Sequence, residues 1–123
     1  MPSKKVTLDT VRKIALALPG VEESTSYGSP SFKINGQILA GIAINKAVEP
    51  NTLMIRMSIE DRNELIEAAP DVYYLKDHYA PYPCVLVRLS RIKPEELRDL
   101  LNMGWRFTMS KKNASRPKGA RRT

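Results

Sequence analysis

One cysteine and one histidine occur in the whole chain, and that scarcity removes several kinds of chemistry at once. A lone cysteine cannot close an internal disulfide, and with a single histidine it cannot complete a structural zinc site. No segment approaches the roughly 20 apolar residues that a membrane span needs, and no apolar run follows the lysines of the N-terminal M-P-S-K-K-V-T-L-D-T. Glycine is sparse as well: Gly28, Gly36 and Gly41 stand alone and match neither phosphate-binding fingerprint. The acids fall on helix faces and turns, so no pair of carboxylates is set apart for general acid and base work. These absences predict a cytoplasmic monomer with no catalytic activity, no cofactor, no metal and no membrane association.

What is present fits one domain. The length of 123 residues suffices for a single core, and 42% apolar with 27% charged residues is ordinary for a globular protein. The net charge of +7 is unevenly placed. Residues 6 to 110 carry twelve bases against thirteen acids, whereas Lys111, Lys112, Arg116, Lys118, Arg121 and Arg122 follow with no acid among them. The expected organisation is a near-neutral domain over 1–110 and a basic, disordered tail over 111–123.

Taken in order, Thr7 is an N-cap for a helix whose apolar residues are Leu8, Val11, Ile14, Ala15 and Leu18, stopped by Pro19-Gly20. V-E-E-S-T-S-Y-G-S-P-S reads as a polar connection. Phe32 and Ile34, then Asn35-Gly36, then Q-I-L-A-G-I-A-I form a hairpin, because Asn-Gly tolerates the positive φ of a type I′ turn. Leu53, Ile55 and Met57 alternate as a third strand. Ser58 caps a second helix carrying Leu65, Ile66 and Ala69, which Pro70 ends. A short strand near Val72 to Leu75, a loop from His78 to Pro83 and a central strand from Cys84 to Leu89 follow. Pro94-Glu95-Glu96 opens a third helix along Leu97, Leu100, Leu101 and Trp105, and Gly104 in its interior implies that another element approaches closely. Helix, three strands, helix, two strands, helix makes an α+β two-layer sandwich with a mainly antiparallel sheet.

The stretch from Asp71 to Leu89 concentrates the histidine, the cysteine and four of the five tyrosines, more polar tips than core filling needs. Two readings of it stand side by side. In one, Tyr27, Pro30, Phe32 and Lys33 form a wall facing His78, Tyr79 and Tyr82, a pocket for a small molecule, a peptide or a protein to which the lysine adds a positive charge; in the other, the same residues fix a loop and a hairpin root. A His78–Cys84 nucleophile and base is the weaker idea, since Cys84 opens an apolar strand as a small buried thiol would. Trp105 continues the apolar stripe, and Arg106, one position on, faces elsewhere. The tail cations can neutralise phosphates, an attraction that is salt-dependent and blind to sequence; the alternative is a solubilising terminus.

L-A-L-P-G-V-E-E (16–23), Y-G-S-P-S-F-K (27–33), H-Y-A-P-Y-P-C-V-L-V-R-L (78–89) and E-L-R-D-L-L-N-M-G-W-R (96–106) together resemble the MmcQ/YjbR family of small bacterial proteins. The resemblance covers roughly residues 7 to 108. It implies a compact α+β fold related to secretion-chaperone and frataxin-like arrangements, and a DNA-binding role through a "double wing". On that reading, weak and salt-dependent DNA contact would fall to Lys33, Arg106 and the tail cations Lys111, Lys112, Arg116, Lys118, Arg121 and Arg122.

Overall fold

The structure, a computed structural model, describes residues 6–26, 28–43, 48–49, 51–77 and 79–115, with side chains described as far as Ser110 except that of Ser26. Its elements are α1 (Leu8–Leu16), β1 (Val21–Ser26), β2 (Ser29–Ile34), β3 (Gln37–Ala43), β4 (Thr52–Arg56), α2 (Ile59–Ala68), β5 (Tyr73–Tyr74), β6 (Cys84–Arg88) and α3 (Pro94–Ser115). The six strands form one sheet in the order β1-β2-β3-β4-β6-β5, with neighbours antiparallel.

The α+β class is as expected, but the element order is corrected: four strands, not three, precede α2. The additional strand is β1, V-E-E-S-T-S, which reads as a connection because Val21 is its one apolar residue. A charged, polar strand suits a sheet edge, where it discourages pairing with other chains. Its partner β2 opposes it along six positions, from Val21 against Ile34 to Ser26 against Ser29. A side-chain clamp adds to the ladder: Arg12 on α1 donates to both carboxylate oxygens of Glu23 at 2.7 and 3.0 Å. This fork ties α1 to the edge strand and holds the Glu23 carboxyl below its usual range.

Local chemistry accounts for the other boundaries. Thr7 and Thr10 cap α1 reciprocally, the Thr10 hydroxyl accepting from Thr7 N at 3.1 Å and the Thr7 hydroxyl from Thr10 N at 3.4 Å. Asn35 and Gly36 take φ of 51° and 82°, the two left-handed residues of the expected turn. Beyond that turn the register shifts: Phe32 opposes Ala40 and Lys33 opposes Ile38, so Leu39 is an extra residue. The bulge turns both Leu39 and Ala40 into the interior, where each is fully buried.

Residues opposed across an antiparallel ladder share a face, so the register sorts the sheet into two sides. Phe32, Ile34, Leu53, Ile55, Tyr73, Val85 and Val87 belong to the main core. Val11 and Ala15 of α1, Leu97 and Leu101 of α3, and Leu65 and Ile66 of α2 pack into that same core, so all three helices lie on one side of the sheet. Gly104 is where α3 comes closest. A Cβ there would lie 2.7 Å from the Arg56 carbonyl oxygen, 3.0 Å from Ile55 Cγ2 and 3.1 Å from Leu39 Cδ1, the close approach that its place in a helix implies. Trp105 packs against the core too and donates from Nε1 to Pro19 O at 2.9 Å.

Helix α3 continues to Ser115, five residues past the point where the sequence places the tail. Lysine propagates a helix well, and cations are favoured at its negative C-terminal end. The rest of the expected tail, 116–123, lies outside the described residues. Among the described residues no helix is long and apolar enough to cross a membrane.

Burial in the core, and secondarily Glu96 at the start of α3, push the Tyr73 hydroxyl up to about 12. Its raised value means the folded state holds the proton longer than the unfolded chain. The associated stability is intact below the ordinary tyrosine value near 10 and drains away as pH rises toward 12. Urea melts at stepped alkaline pH should show a steeper loss in the native protein than in Tyr73→Phe; identical slopes would show that Tyr73 does not report this burial.

Candidate functional site

The other face of the sheet carries Ser31 and Lys33 on β2, Ile38 and Gly41 on β3, Met54 and Arg56 on β4, Cys84 and Leu86 on β6, and Tyr74 on β5. Leu86 is fully buried, and Cys84 and Tyr74 nearly so, yet all three lie outside the main core cluster. Part of their cover is the loop between β5 and β6. Burial is the main cause that pushes the Tyr79 hydroxyl above its ordinary value, and the Cys84 thiol lies 4.0 Å from the Tyr79 carbonyl, which ties the loop to this face.

That loop is built rather than loose. Tyr79 N and Ala80 N donate to Lys76 O at 2.8 and 3.0 Å, and Tyr82 N to Tyr79 O at 3.0 Å. Arg62 of α2, 6% exposed, donates from Nη1 to the carbonyls of Ala80 and Tyr82 at 3.1 and 3.0 Å. A buried guanidinium therefore fixes the loop against α2, leaving Tyr82 58% exposed at its crest. Sequence reasoning missed Arg62, because an arginine at the second turn of a polar helix gives no sign that it is buried.

The structure divides the residues expected at a site. Tyr27 and His78 lie outside the described residues, and with His78 the imagined nucleophile and base. Phe32 points into the main core with no exposure, and Pro30, two residues back along the strand, shares its side. The Tyr79 carbonyl meets Cys84 of the opposite face, and Phe32, with no exposure, offers no surface to that loop. Lys33, one residue on, does share the face of Cys84. Cys84 is 4% exposed and its thiol is pushed up by burial, against the lowering influence of Arg62 and Arg56; an enclosed, protonated thiol is a poor nucleophile. Among the described residues no group of three or more His, Cys, Asp or Glu could hold a metal ion.

Cations gather at one end of the sheet. Arg56 closes β4 there, opposite Cys84, and its Nη1 lies 3.5 Å from the carbonyl of Ile38, the residue opposed to Lys33. The Arg56 guanidinium sits 5.6 Å from the centre of the Phe107 ring on α3. Arg106, the preceding residue of α3, is exposed, and the backbone of Lys111 and Lys112 continues the same helix. Glu22 opposes Lys33 at the edge and offsets part of this charge. The signal for Arg56 was an arginine within the apolar strand L-M-I-R-M, where a charge needs a reason.

The opposite end is differently made. Arg88 donates to both oxygens of Glu49 at 2.9 and 2.8 Å and to the carbonyls of Pro70 and Asp71 at 3.1 and 3.2 Å, over the Tyr74 ring at 4.2 Å. An open depression of about 360 Å³ adjoins it, lined by Glu49, Pro70, Asp71, Arg88, Ser90 and Arg91. With Arg88 so engaged, this end is a structural joint that ties Glu49 and the Pro70 and Asp71 carbonyls to β6.

Comparison with known proteins places the chain. Over 41 residues it is 42% identical to the uncharacterized protein Rv2570 of Mycobacterium tuberculosis and, equally, to Mb2600 of Mycobacterium bovis; the match covers 33% of this chain and 32% of each relative. The chain thus spans about a third of the length of the curated relatives it matches. The crystal structure of the Deinococcus radiodurans protein DR2400, of the family-model domain DUF419, superposes with a TM-score of 0.72 at 22% identity, covering 93% of this chain and 88% of that one. At that identity the likeness is one of fold. The YjbR family model matches residues 16–107, which takes in every strand and α3 as far as the Phe107 ring, and the chain belongs to the YjbR family.

Proposed function

We propose that the protein binds nucleic acid, DNA in the first instance, through backbone phosphates and without base selection. One observation carries this reading. After Asp99 the chain holds seven cations and no acid, and among the described side chains Met109 is the last of α3 that packs against the core. The helix runs on for six residues to Ser115, about 9 Å at 1.5 Å per residue. Arg106, Lys111 and Lys112 thus lie on one helix, which at Gly104 crosses β4 beside Arg56, and Arg116, Lys118, Arg121 and Arg122 follow in the sequence. The near-neutral remainder of the domain supplies no comparable field.

The test uses the full chain with Lys111, Lys112, Arg116, Lys118, Arg121 and Arg122 changed to glutamine. Anisotropy of labelled duplex DNA across a salt series should show affinity lower by about tenfold or more near 0.1 M salt. The log–log salt slope should be shallower by about 3–5, since each neutralised phosphate contributes about 0.9. Unchanged affinity and slope would overturn the reading. A second reading, a pocket for a small molecule or peptide, is favoured by the Tyr79 loop bonding to Cys84 on the face without helices, with Tyr82 of that loop exposed.

A further inference from the structure

Four arginines are buried or half-buried among the described residues, Arg12, Arg56, Arg62 and Arg88. Three are held by several bonds from two or three of their nitrogens. Arg12 binds Glu23 and Asp9, Arg62 binds two carbonyls and Asn63, and Arg88 binds Glu49 and two carbonyls. Arg56 has a single contact with a carbonyl, at 3.5 Å, and no carboxylate. A guanidinium offers five N–H donors, and those that Arg56 does not aim at Ile38 remain open to solvent, since among the described residues the one buried side-chain polar atom without a partner is Thr108 Oγ1. Burial lowers the Arg56 pKa from its ordinary value, with Cys84 acting the other way.

Lys33 is also without a bonded partner among the described residues, Glu22 standing opposite it but forming no ion pair. Lys33 and Arg56 occupy the same face on strands separated by β3, so their backbones are about 10 Å apart. Both side chains are long enough to converge over Ile38 between them. The Phe107 ring steadies the guanidinium from the α3 side.

We propose that Arg56 and Lys33 form a subsite for a phosphate group. Arg56 presents its planar fork to two oxygens and Lys33 adds a mobile second charge, the combination suited to a phosphate oxyanion. The phosphate can belong to a nucleic-acid strand, in which case the subsite rests on the function proposed above, or to a free phosphorylated compound, in which case it does not.

The experiment titrates the ¹⁵N-labelled full chain with inorganic pyrophosphate and, separately, with oligothymidylate lacking terminal phosphates. It follows the Arg56 Nε–H and the amides of Ile38 and Phe107. Saturable shifts at these groups are expected with at least one probe in the native chain, and the affinity read at the Ile38 and Phe107 amides should be weakened by about tenfold in Arg56→Gln and by less in Arg56→Lys, which keeps the charge and loses the fork. Shifts with pyrophosphate alone support the subsite and assign it to a free phosphate compound, against the nucleic-acid reading. Shifts with the oligonucleotide alone, or with both, support it as a contact to the strand. If neither probe moves the native Arg56 Nε–H at millimolar concentration, or if the shifts persist unchanged in Arg56→Gln, the subsite is overturned, even where the tail still binds DNA.

Discussion

Phe32→Ala is expected to destabilise the protein by about 3–5 kcal/mol, the range for removing a buried aromatic ring. The ring has no exposure and sits on the core side of β2, opposite Ala40, whose methyl cannot fill the space left behind. Against a total stability of about 5–15 kcal/mol for a domain of this kind, that loss leaves a protein near the edge of folding at 37 °C. Urea denaturation should place its midpoint far below that of the native chain. Where the variant remains folded, its affinity for DNA should be unaltered. A cost below about 1 kcal/mol, the scale of a surface substitution, with ligand binding lost, would instead return Phe32 to a pocket wall.

The same residue shows how far the sequence could be followed. Asn35-Gly36 announced the hairpin through backbone preference, and the alternation of Phe32 and Ile34 established that one side of β2 is buried. Which other residues share that side depends on pairing and on the bulge at Leu39, and no local pattern gives either. A displacement of one residue therefore separated Phe32 from the site face and put Lys33 on it. Strand β1 was hidden for a related reason: an edge strand can satisfy its ladder with one partner and bury a single valine, so its polar composition looks like a loop. The roles of Arg62 and Arg56 were illegible because they depend on the carbonyls of Ala80 and Tyr82 and on Phe107, 18 to 51 positions away in the chain. The helices were the most readable elements, since caps and apolar spacing are local; the far end of α3 was missed because its last turns carry no apolar residue to mark them.

Gly104→Ala tests the one close contact on which the layering of α3 depends. On helix propensity alone the change would be favourable by about 1 kcal/mol, so any loss must come from packing. The new methyl carbon would sit 2.7 Å from the carbonyl oxygen of Arg56, well inside van der Waals contact. Backbone of a central strand cannot rotate aside as a side-chain end can. Overpacking of this kind costs about 1–3 kcal/mol and sometimes more; with the upper part of that range offset by propensity, the net loss should be about 2 kcal/mol. For a domain of this size that lowers the melting temperature by roughly 8–14 °C. Leu39→Ala in the same chain should not restore the loss, because trimming Leu39 relieves the 3.1 Å contact and leaves the carbonyl in place. A neutral or stabilising Gly104→Ala would mean that α3 stands farther from β4 than the structure has it. The proximity of Phe107 to Arg56 would then fail together with the glycine contact, because both are fixed by the same approach of helix to strand.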